Sequence, residues 1–405
     1  MRLFSTTVCA LVLVGFTVLP GFAESVRMVP LAVPSAASNG FGGHNTAFTD
    51  NVFSLLVNPA ALVRTQQASV FVLAPSLYNP ESAFLITPYI SDLISEGNFS
   101  HLKNIADVFS RGKGKVVLGL ELREFPFALA WVSSGIGVGM WSRTFVRSEI
   151  IGNSAAAVAY SDFIIPVGFA FKVLDVYSHS VDAGFSVKPF IRIRAEQQEF
   201  ITDLIDSIDS GDYEFKAAIP VIAGGSFDVG FLYRWEGGFQ AALTFTNIRS
   251  RGTVIANLGS IDDTNSYYIP FAVNAGLAHS IRLTPSAIFT MVTDWRDIGN
   301  VFNQDDYLNS GNYLLDFGFG VQFDFFSTFF LRMGINQMLP AAGFGFHFGA
   351  LEIDIAYYGQ EFGYEPGQLP AAALDLSIAI RPRLQQRDWP WTRSSVLGLF
   401  GVGRK

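Results

Sequence analysis

The composition of this 405-residue chain is unusual for a soluble protein, because 15% of its residues are charged, against about 25% in ordinary globular domains. Phe and Gly are abundant, at 39 and 38 residues. Beyond residue 23, no apolar run reaches the roughly 18 residues that predict a membrane-spanning helix. The net charge of −8 argues against nucleic acid as a partner. The single cysteine, Cys9, excludes disulfides and thiol chemistry from the rest of the chain.

The first residues have the pattern of a secretory signal. Arg2 supplies a positive charge, residues 8–19 form a short apolar core, and Gly21 and Ala23 are small residues at a cleavage position. A transmembrane anchor is the alternative, but the apolar run is shorter than the ~20 residues that span a bilayer. We therefore expect a cleavable signal peptide at 1–23 and export of the remaining chain.

Apolar residues recur at every second position along much of the chain. Between Tyr313 and Phe325 every odd position is apolar, whereas the even positions are mostly polar residues or glycine. Successive side chains of a strand point to opposite faces, so each such segment predicts a strand with one apolar and one polar face. The same division recurs at 118–123, 221–234, 329–336 and 374–381.

A soluble β-sandwich and a transmembrane β-barrel both have alternating strands. Charges and glycines on the polar face of nearly every strand favour the barrel, because its lumen is wet. Aromatic residues near strand ends favour it too, as interfacial girdles; they are Trp131, Trp141, Trp235, Trp295, Tyr313 and Tyr357. We therefore predict an all-β fold, a transmembrane antiparallel β-barrel at 67–382, in contact with the lipid of a bacterial outer membrane.

Outer-membrane barrels alternate short periplasmic turns with longer external loops, and this rule predicts about fourteen strands, with twelve and sixteen left open. The prediction takes Phe125 as a short turn, 149–156 as a long loop, and 126–148 as one strand. The outward positions change parity inside that strand, which predicts a β-bulge near 133–135. A tight hairpin at the same residues is the alternative.

Two predicted external segments, 85–109 and 196–209, carry apolar residues at helical spacing. Such helices could collect apolar solutes, or they could pack on the barrel rim. The pattern by itself favours packing on the rim.

Residues 24–66 precede the first predicted strand and do not alternate. A segment of this length is a candidate plug for a barrel wide enough to hold it. It contains a stretch of small residues, then Asp50, then Asn58-Pro59-Ala60 just before the first strand.

The plug sequence, the fourteen strands, the interrupted third strand and the helical third external loop together resemble the FadL-like outer-membrane channels for long-chain fatty acids and other hydrophobic compounds. The resemblance implies a passive route. Solute is gathered outside, binds inside, and leaves sideways through a gap at the kinked strand when the plug shifts.

The resemblance also implies which residues form the site. Asp50, Asn58, Pro59 and Ala60 would be plug and gating residues. The lateral opening would lie at Ser133, Ser134, Gly135, Gly137 and Gly139.

The chain departs from that family after its last predicted strand, which ends at Arg381-Pro382 and is followed by a tail at 383–405. The first external loop is also unusually long. In both features the chain is similar to relatives of the fold that are secretion-associated or poorly characterised surface barrels. A structural or secretion-associated barrel, with a protein partner at the C-terminal tail, is therefore the alternative function.

No catalytic or metal-binding motif is recognisable in the sequence. The five histidines, at 44, 101, 179, 279 and 347, have no metal-ligand spacing with one another or with an acid. We therefore expect no enzymatic activity, no cofactor and no metal. Acids and bases are about equally numerous on the predicted lumen face, as a wet interior requires, and one base could hold a fatty-acid carboxylate. The acids are Glu121, Asp228, Asp294, Asp316, Asp324, Glu352 and Asp354, and the bases are Arg123, Lys188, Arg192, Arg194, Arg234, Arg332 and Arg381.

Overall fold

The computed structural model describes residues 25–31, 34–43, 45–49, 51–80, 115–151, 154–200, 218–259, 263–298 and 312–382. The predicted signal peptide, Asp50, the external segment 85–109 and the tail 383–405 lie outside these residues. Within the described ranges, no helix is long and apolar enough to span a membrane.

In these described residues, seventeen strands form one sheet that closes on itself. In chain order they are β1 (Ser25–Arg27), β2 (Gln66–Tyr78), β3 (Lys115–Ser133), β4 (Ile136–Ile151), β5 (Ser154–Ile164), β6 (Val167–Val176), β7 (His179–Phe200), β8 (Pro220–Trp235), β9 (Phe239–Asn257), β10 (Ser266–Tyr268), β11 (Ala272–Thr284), β12 (Ala287–Trp295), β13 (Phe317–Phe325), β14 (Phe329–Asn336), β15 (Leu339–Phe348), β16 (Leu351–Glu361) and β17 (Pro370–Ile380).

The ring has about fourteen strand positions, as predicted. β5 and β6 share one position between β4 and β7, and β10 and β11 share another beside β9. The short β1 adds a parallel pairing to β10. Antiparallel pairing of β17 with β2 closes the ring, so the predicted antiparallel barrel is confirmed.

The barrel is apolar outside and polar inside. In β13, Phe319 is exposed whereas Gly320 and Gln322 are buried. On the next strand Met333 is 64% exposed, and the adjacent Arg332 is only 4% exposed. A soluble sandwich buries its apolar face, so this inverted arrangement is that of a barrel whose outer face meets lipid.

The prediction of one bulged strand at 126–148 is wrong. β3 ends at Ser133, Ser134 and Gly135 form a two-residue turn, and β4 begins at Ile136. Both turn residues have positive φ, 50° and 85°, as type I′ hairpin turns require. Ser133 and Ile136 are paired across the turn and share a face, so outward positions are odd before the turn and even after it. The hairpin alternative is therefore the correct one.

Phe125 is also not a turn. It lies inside β3, where the register with β4 shifts between Arg123 and Ala128. Such a shift marks a β-bulge. The predicted strand count is unaffected, because the turn moves along the chain without adding or removing a strand.

Three other boundaries differ from prediction. The loop predicted at 149–156 is short, because β5 already begins at Ser154. The helix predicted at 196–209 starts as strand, since β7 extends to Phe200 and pairs with β5, and its remainder lies outside the described residues. Tyr313–Asp316 form a 3-10 helix rather than the start of β13.

Met333 offers a test of which face meets lipid. Met333→Arg is expected to lower the free energy of unfolding in lipid vesicles by about 2–4 kcal/mol, the cost of a cation on the lipid face near the bilayer centre. Met333→Leu, which keeps the apolar character, is the control. Equal stability of the two variants in urea titrations would show that this face does not contact hydrocarbon.

Candidate functional site in the barrel interior

The described residues of 34–65, called here the inner segment, lie inside the ring. The short helix Ala36–Gly40 packs on β14 to β17. The 3-10 helix Pro59–Val63 packs on β6, β7 and β8, and the helix Ser54–Val57 between them contacts β4. The inner segment therefore crosses the interior from one part of the wall to another.

Glycines on the inner face of the wall make room for the inner segment. A Cβ at Gly320 would lie 2.0 Å from the Phe41 carbonyl oxygen, and one at Gly184 would lie 2.5 Å from that of Pro59. Contacts this short do not fit a close-packed interior. By contrast, a Cβ at Gly225 would meet nothing within 4 Å. The inner-face glycines were expected to line a wet lumen, but Gly184 and Gly320 instead mark close approach of two backbones.

Acidic residues of the wall hold the inner segment through hydrogen bonds. The Asp375 carboxylate accepts one from Asn39 Nδ2 at 2.6 Å and also pairs with Arg123. On another part of the ring, Asp294 Oδ2 accepts a hydrogen bond from the Thr46 amide at 2.8 Å. The inner segment is thus tied to β17 and to β12.

The Asn58-Pro59-Ala60 motif lies in the buried centre of the inner segment. Asn58 Oδ1 accepts a hydrogen bond from the Ala60 amide at 3.1 Å, and Nδ2 donates one to the Thr46 carbonyl oxygen at 3.0 Å. The side chain therefore caps the 3-10 helix that follows and joins two parts of the inner segment. The motif lies against inner-face glycines of β7 and β8. Its gating role stays a prediction.

The predicted lateral opening begins at the hairpin between β3 and β4, which contacts the inner segment directly. The Gly135 amide donates a hydrogen bond to the Leu62 carbonyl oxygen at 3.0 Å. The Gln66 side chain bonds to both Ser133 and Ser134, at 3.1 Å each. Movement of the inner segment at Leu62 must therefore break its hydrogen bond to this hairpin.

Gly137 and Gly139 follow on the inner face of β4. A Cβ at Gly137 would lie 3.0 Å from Leu55 Cδ2, and one at Gly139 would lie 2.0 Å from Trp141 Cζ3. Trp141 thus lies across Gly139, inside the barrel and 0% exposed. Its predicted place in the outer aromatic girdle is wrong.

The strand at the fourth position of the ring is interrupted opposite Gly139. β5 ends at Ile164 and β6 begins at Val167, and the Gly139 amide donates to the Pro166 carbonyl oxygen at 3.0 Å across the break. Pro166 has no N–H with which to continue the ladder. The interruption is therefore in the fourth strand position and not in the third. A proline within an alternating segment was the sequence signal for it.

An apolar cluster fills part of the interior. The inner segment and residues just before it contribute Met28, Leu31, Val52, Phe53, Leu55, Leu56, Leu62 and Val63. The wall contributes Phe71, Ala128, Ala130, Val132, Trp141, Ile164, Ala170, Phe190, Ile222, Tyr267, Ile269 and Ala379. At one end Leu55 and Leu62 meet Gly168 of β6, immediately after the interruption. The cluster therefore reaches the wall beside this interruption.

Charged side chains of the inner face are paired rather than solvated. The pairs are Arg123–Asp375, Arg143–Glu121, Lys188–Asp228, Arg192–Asp162, Arg332–Asp354 and Arg381–Glu352. Breaking a buried pair by removing one partner costs about 3–5 kcal/mol. A carboxylate solute could therefore use these bases only by displacing an acid already bound.

Three cavities of about 560, 480 and 290 Å³ border the inner segment. The one of about 480 Å³ lies between the inner segment and the wall, and most of its lining is polar, including Asn51, Gln67, Asp324 and His347. None of these three cavities is the elongated apolar pocket that we would expect of a channel for hydrophobic solutes. In the apolar cluster, side chains of the inner segment occupy the space that a solute would need.

His347 is closer to acids than the sequence indicated. Ligand atoms of His347, Glu352 and Asp354 lie within 4.8 Å of one another. Both carboxylates already bond to guanidinium groups, Glu352 to Arg381 and Asp354 to Arg332 at 2.6 Å. Because a cation here would face two arginines, we assign the cluster to an ion-pair network.

Gly184 tests the contact between wall and inner segment. Gly184→Ala is expected to lower the free energy of unfolding by about 1–3 kcal/mol, the usual cost of overpacking, because the added methyl meets the Pro59 carbonyl group. Gly225→Ala, on the next strand but facing open space, should have no such cost. The comparison is made in urea titrations, and equal losses for the two variants would contradict the contact.

No protein-family profile matches the chain, and no curated protein is similar to it in sequence. The P. putida toluene transporter TodX is similar in structure, with a TM-score of 0.51 at 9% identity over 87% of this chain and 99% of that one. The Ralstonia pickettii toluene transporter TbuX has a TM-score of 0.42 at 10% identity over 87% of this chain and 98% of its own. A Pseudomonas aeruginosa FadL homologue has a TM-score of 0.43 at 11% identity over 89% and 100%. With its closed ring and the similarity to TodX, the chain has the fold of the FadL-like outer-membrane channels.

Proposed function

We propose that this protein is an outer-membrane channel for passive uptake of hydrophobic small molecules. The apolar cluster inside the barrel carries the proposal, since it joins the inner segment to the wall at the interruption beside Pro166. A solute that replaces inner-segment side chains in this cluster would keep apolar contacts throughout its passage. TodX, which shares the fold, is described as a toluene transporter. Within this class of solutes, long-chain fatty acids are the more specific candidate, because the sequence resembles the FadL-like channels.

In this proposal the inner segment is the plug. Most of its residues are buried, and it is held by hydrogen bonds to Asp375 and Asp294. It is a stretch of chain inside a closed ring, so it can shift without opening the whole ladder. Asn58 would set its resting shape through its bonds to Ala60 and Thr46.

A binding measurement tests uptake. Radiolabelled oleate and radiolabelled toluene are titrated onto the purified protein in detergent, with protein-free micelles as background. Saturable binding of at least one is expected. Asn58→Ala should bind with a faster on-rate, because the two backbone groups that Asn58 holds lose their partner and the plug is loosened by about 1–3 kcal/mol.

A second candidate function is a structural or secretion-associated barrel that binds protein partners. The polar linings of the cavities favour it, since hydrophobic solutes gain little there. Absence of saturable binding for both solutes would favour this candidate over uptake.

Lateral release would take place where β4 changes its partner. Val138 and Val167 are paired across β4 and β6, and both side chains are exposed on the lipid face. Opposite residues of antiparallel strands have Cα atoms ~4.5–5.5 Å apart, within the range that a disulfide can bridge. A disulfide between positions 138 and 167 would hold β4 and β6 together without filling the interior.

The double variant Val138→Cys/Val167→Cys is expected to lose oleate uptake when oxidised and to regain it when reduced. Uptake is measured in bacterial cells that lack their own channel. The control pair, Phe231→Cys/Leu243→Cys, lies on the lipid face of the uninterrupted β8–β9 ladder and should transport in both states. Full uptake by the oxidised test variant would exclude release between these strands.

A further inference from the structure

Trp141 carries a hydrogen-bond donor that the fold does not use. The residue is 0% exposed, and its Nε1 has no hydrogen-bond partner. The indole lies over Gly139, and the Phe53 ring is 6.3 Å from it between centroids. Leaving a buried donor unpaired costs about 1–3 kcal/mol, and most buried polar groups in proteins are paired.

Two hydroxyl groups of the same region are also without partners. Ser54, next to Phe53, is 0% exposed, and Ser69 is 2% exposed; neither Oγ has a hydrogen-bond partner. Ser69 pairs with Ala130, which pairs with Gly139. Ser69, Ala130 and Gly139 are therefore cross-strand neighbours, and the Trp141 indole lies over Gly139.

The nearest members of the apolar cluster have no acceptor in their side chains, since they are Phe53, Phe71 and Val132. The Ser54 and Ser69 hydroxyls could accept a hydrogen bond, but neither is bonded to the indole. An acceptor atom brought by a bound molecule would satisfy the indole N–H.

Phe53 separates the indole from open space. Its ring packs on Trp141 and on Phe71, at 5.5 Å from the latter between centroids, and the residue also lines the cavity of about 480 Å³. Rotation of this one side chain, or a shift of the inner segment, would connect the cavity to the indole ring.

We propose that Trp141, with Ser54 and Ser69, forms a hydrogen-bonding subsite for neutral apolar molecules that carry an acceptor oxygen, such as a ketone, an ether or a phenol. The inference rests on the proposed uptake function and names its substrate class. The apolar cluster binds the hydrocarbon part, and the indole N–H donates to the oxygen. A site built around donors rejects an analogue that lacks the acceptor, because the donors then stay unpaired.

Acetophenone and α-methylstyrene test the inference, since the ketone oxygen of the first is a methylene group in the second. Binding to the purified protein is measured with a correction for partition into protein-free micelles. Wild type is expected to bind acetophenone roughly tenfold more tightly, as one hydrogen bond of about 1.4 kcal/mol allows. Trp141→Phe should abolish that preference. Trp295→Phe, on the exposed outer face, is the control and should keep it.

A second readout needs no variant of the site. In ¹⁵N-labelled wild-type protein, acetophenone should shift the Trp141 indole N–H resonance downfield, whereas α-methylstyrene should not. If Trp141→Phe does not fold, Ser69→Ala replaces it and should reduce the preference. Equal affinities and no indole shift would overturn the subsite while leaving hydrophobic uptake intact. Failure of both solutes to bind would overturn the uptake proposal and the subsite with it.

Discussion

Hydrocarbon provides no hydrogen-bond partner for a peptide group, and the rest of this architecture follows from that constraint. The pairing of β17 with β2 closes the ring, so no sheet edge is left to the lipid. Once the ring is closed, each strand has an outward face that must be apolar and an inward face that is free to be polar. Met333 and Arg332 are adjacent in sequence, yet one is exposed to the outside and the other is buried with Asp354.

A ring of this size encloses more space than its own inward side chains can fill, since about eight strands already leave just enough room for them. The inner segment occupies much of the remainder. Its close approach explains why Gly184 and Gly320 lack side chains. Wall carboxylates such as Asp375 then serve two partners, a neighbouring arginine and the inner segment.

The interior contains two kinds of contact. An apolar cluster joins the inner segment to the wall beside Pro166, whereas ion pairs lie around it on both sides of the ring. A neutral apolar solute matches the cluster, because it can replace apolar side chains there without separating a buried ion pair.

The alternation of residues by itself determined the fold class and the approximate strand number, because a period of two assigns each side chain to a face whatever its partners are. The lack of alternation in 24–66 indicated a distinct element before the first strand, and the resemblance to the FadL-like channels pointed to Asn58-Pro59-Ala60 within it. Sequence could not decide between a bulge and a hairpin at Ser134-Gly135, since both produce the same change of parity. That choice depended on the pairing of β3 with β4.

Tertiary structure alone decided what the inward positions contact. Inward glycines are the same in sequence whether they face water or another backbone, so only the path of the inner segment distinguishes the two. Trp141 was predicted to be a girdle residue because of its position in the predicted strand. Its contacts in the apolar cluster place it inside the barrel instead. Likewise, His347 meets Glu352 and Asp354 only because β15 and β16 pair. A strand pattern specifies which face a residue occupies, whereas the ring and its contents specify what lies opposite.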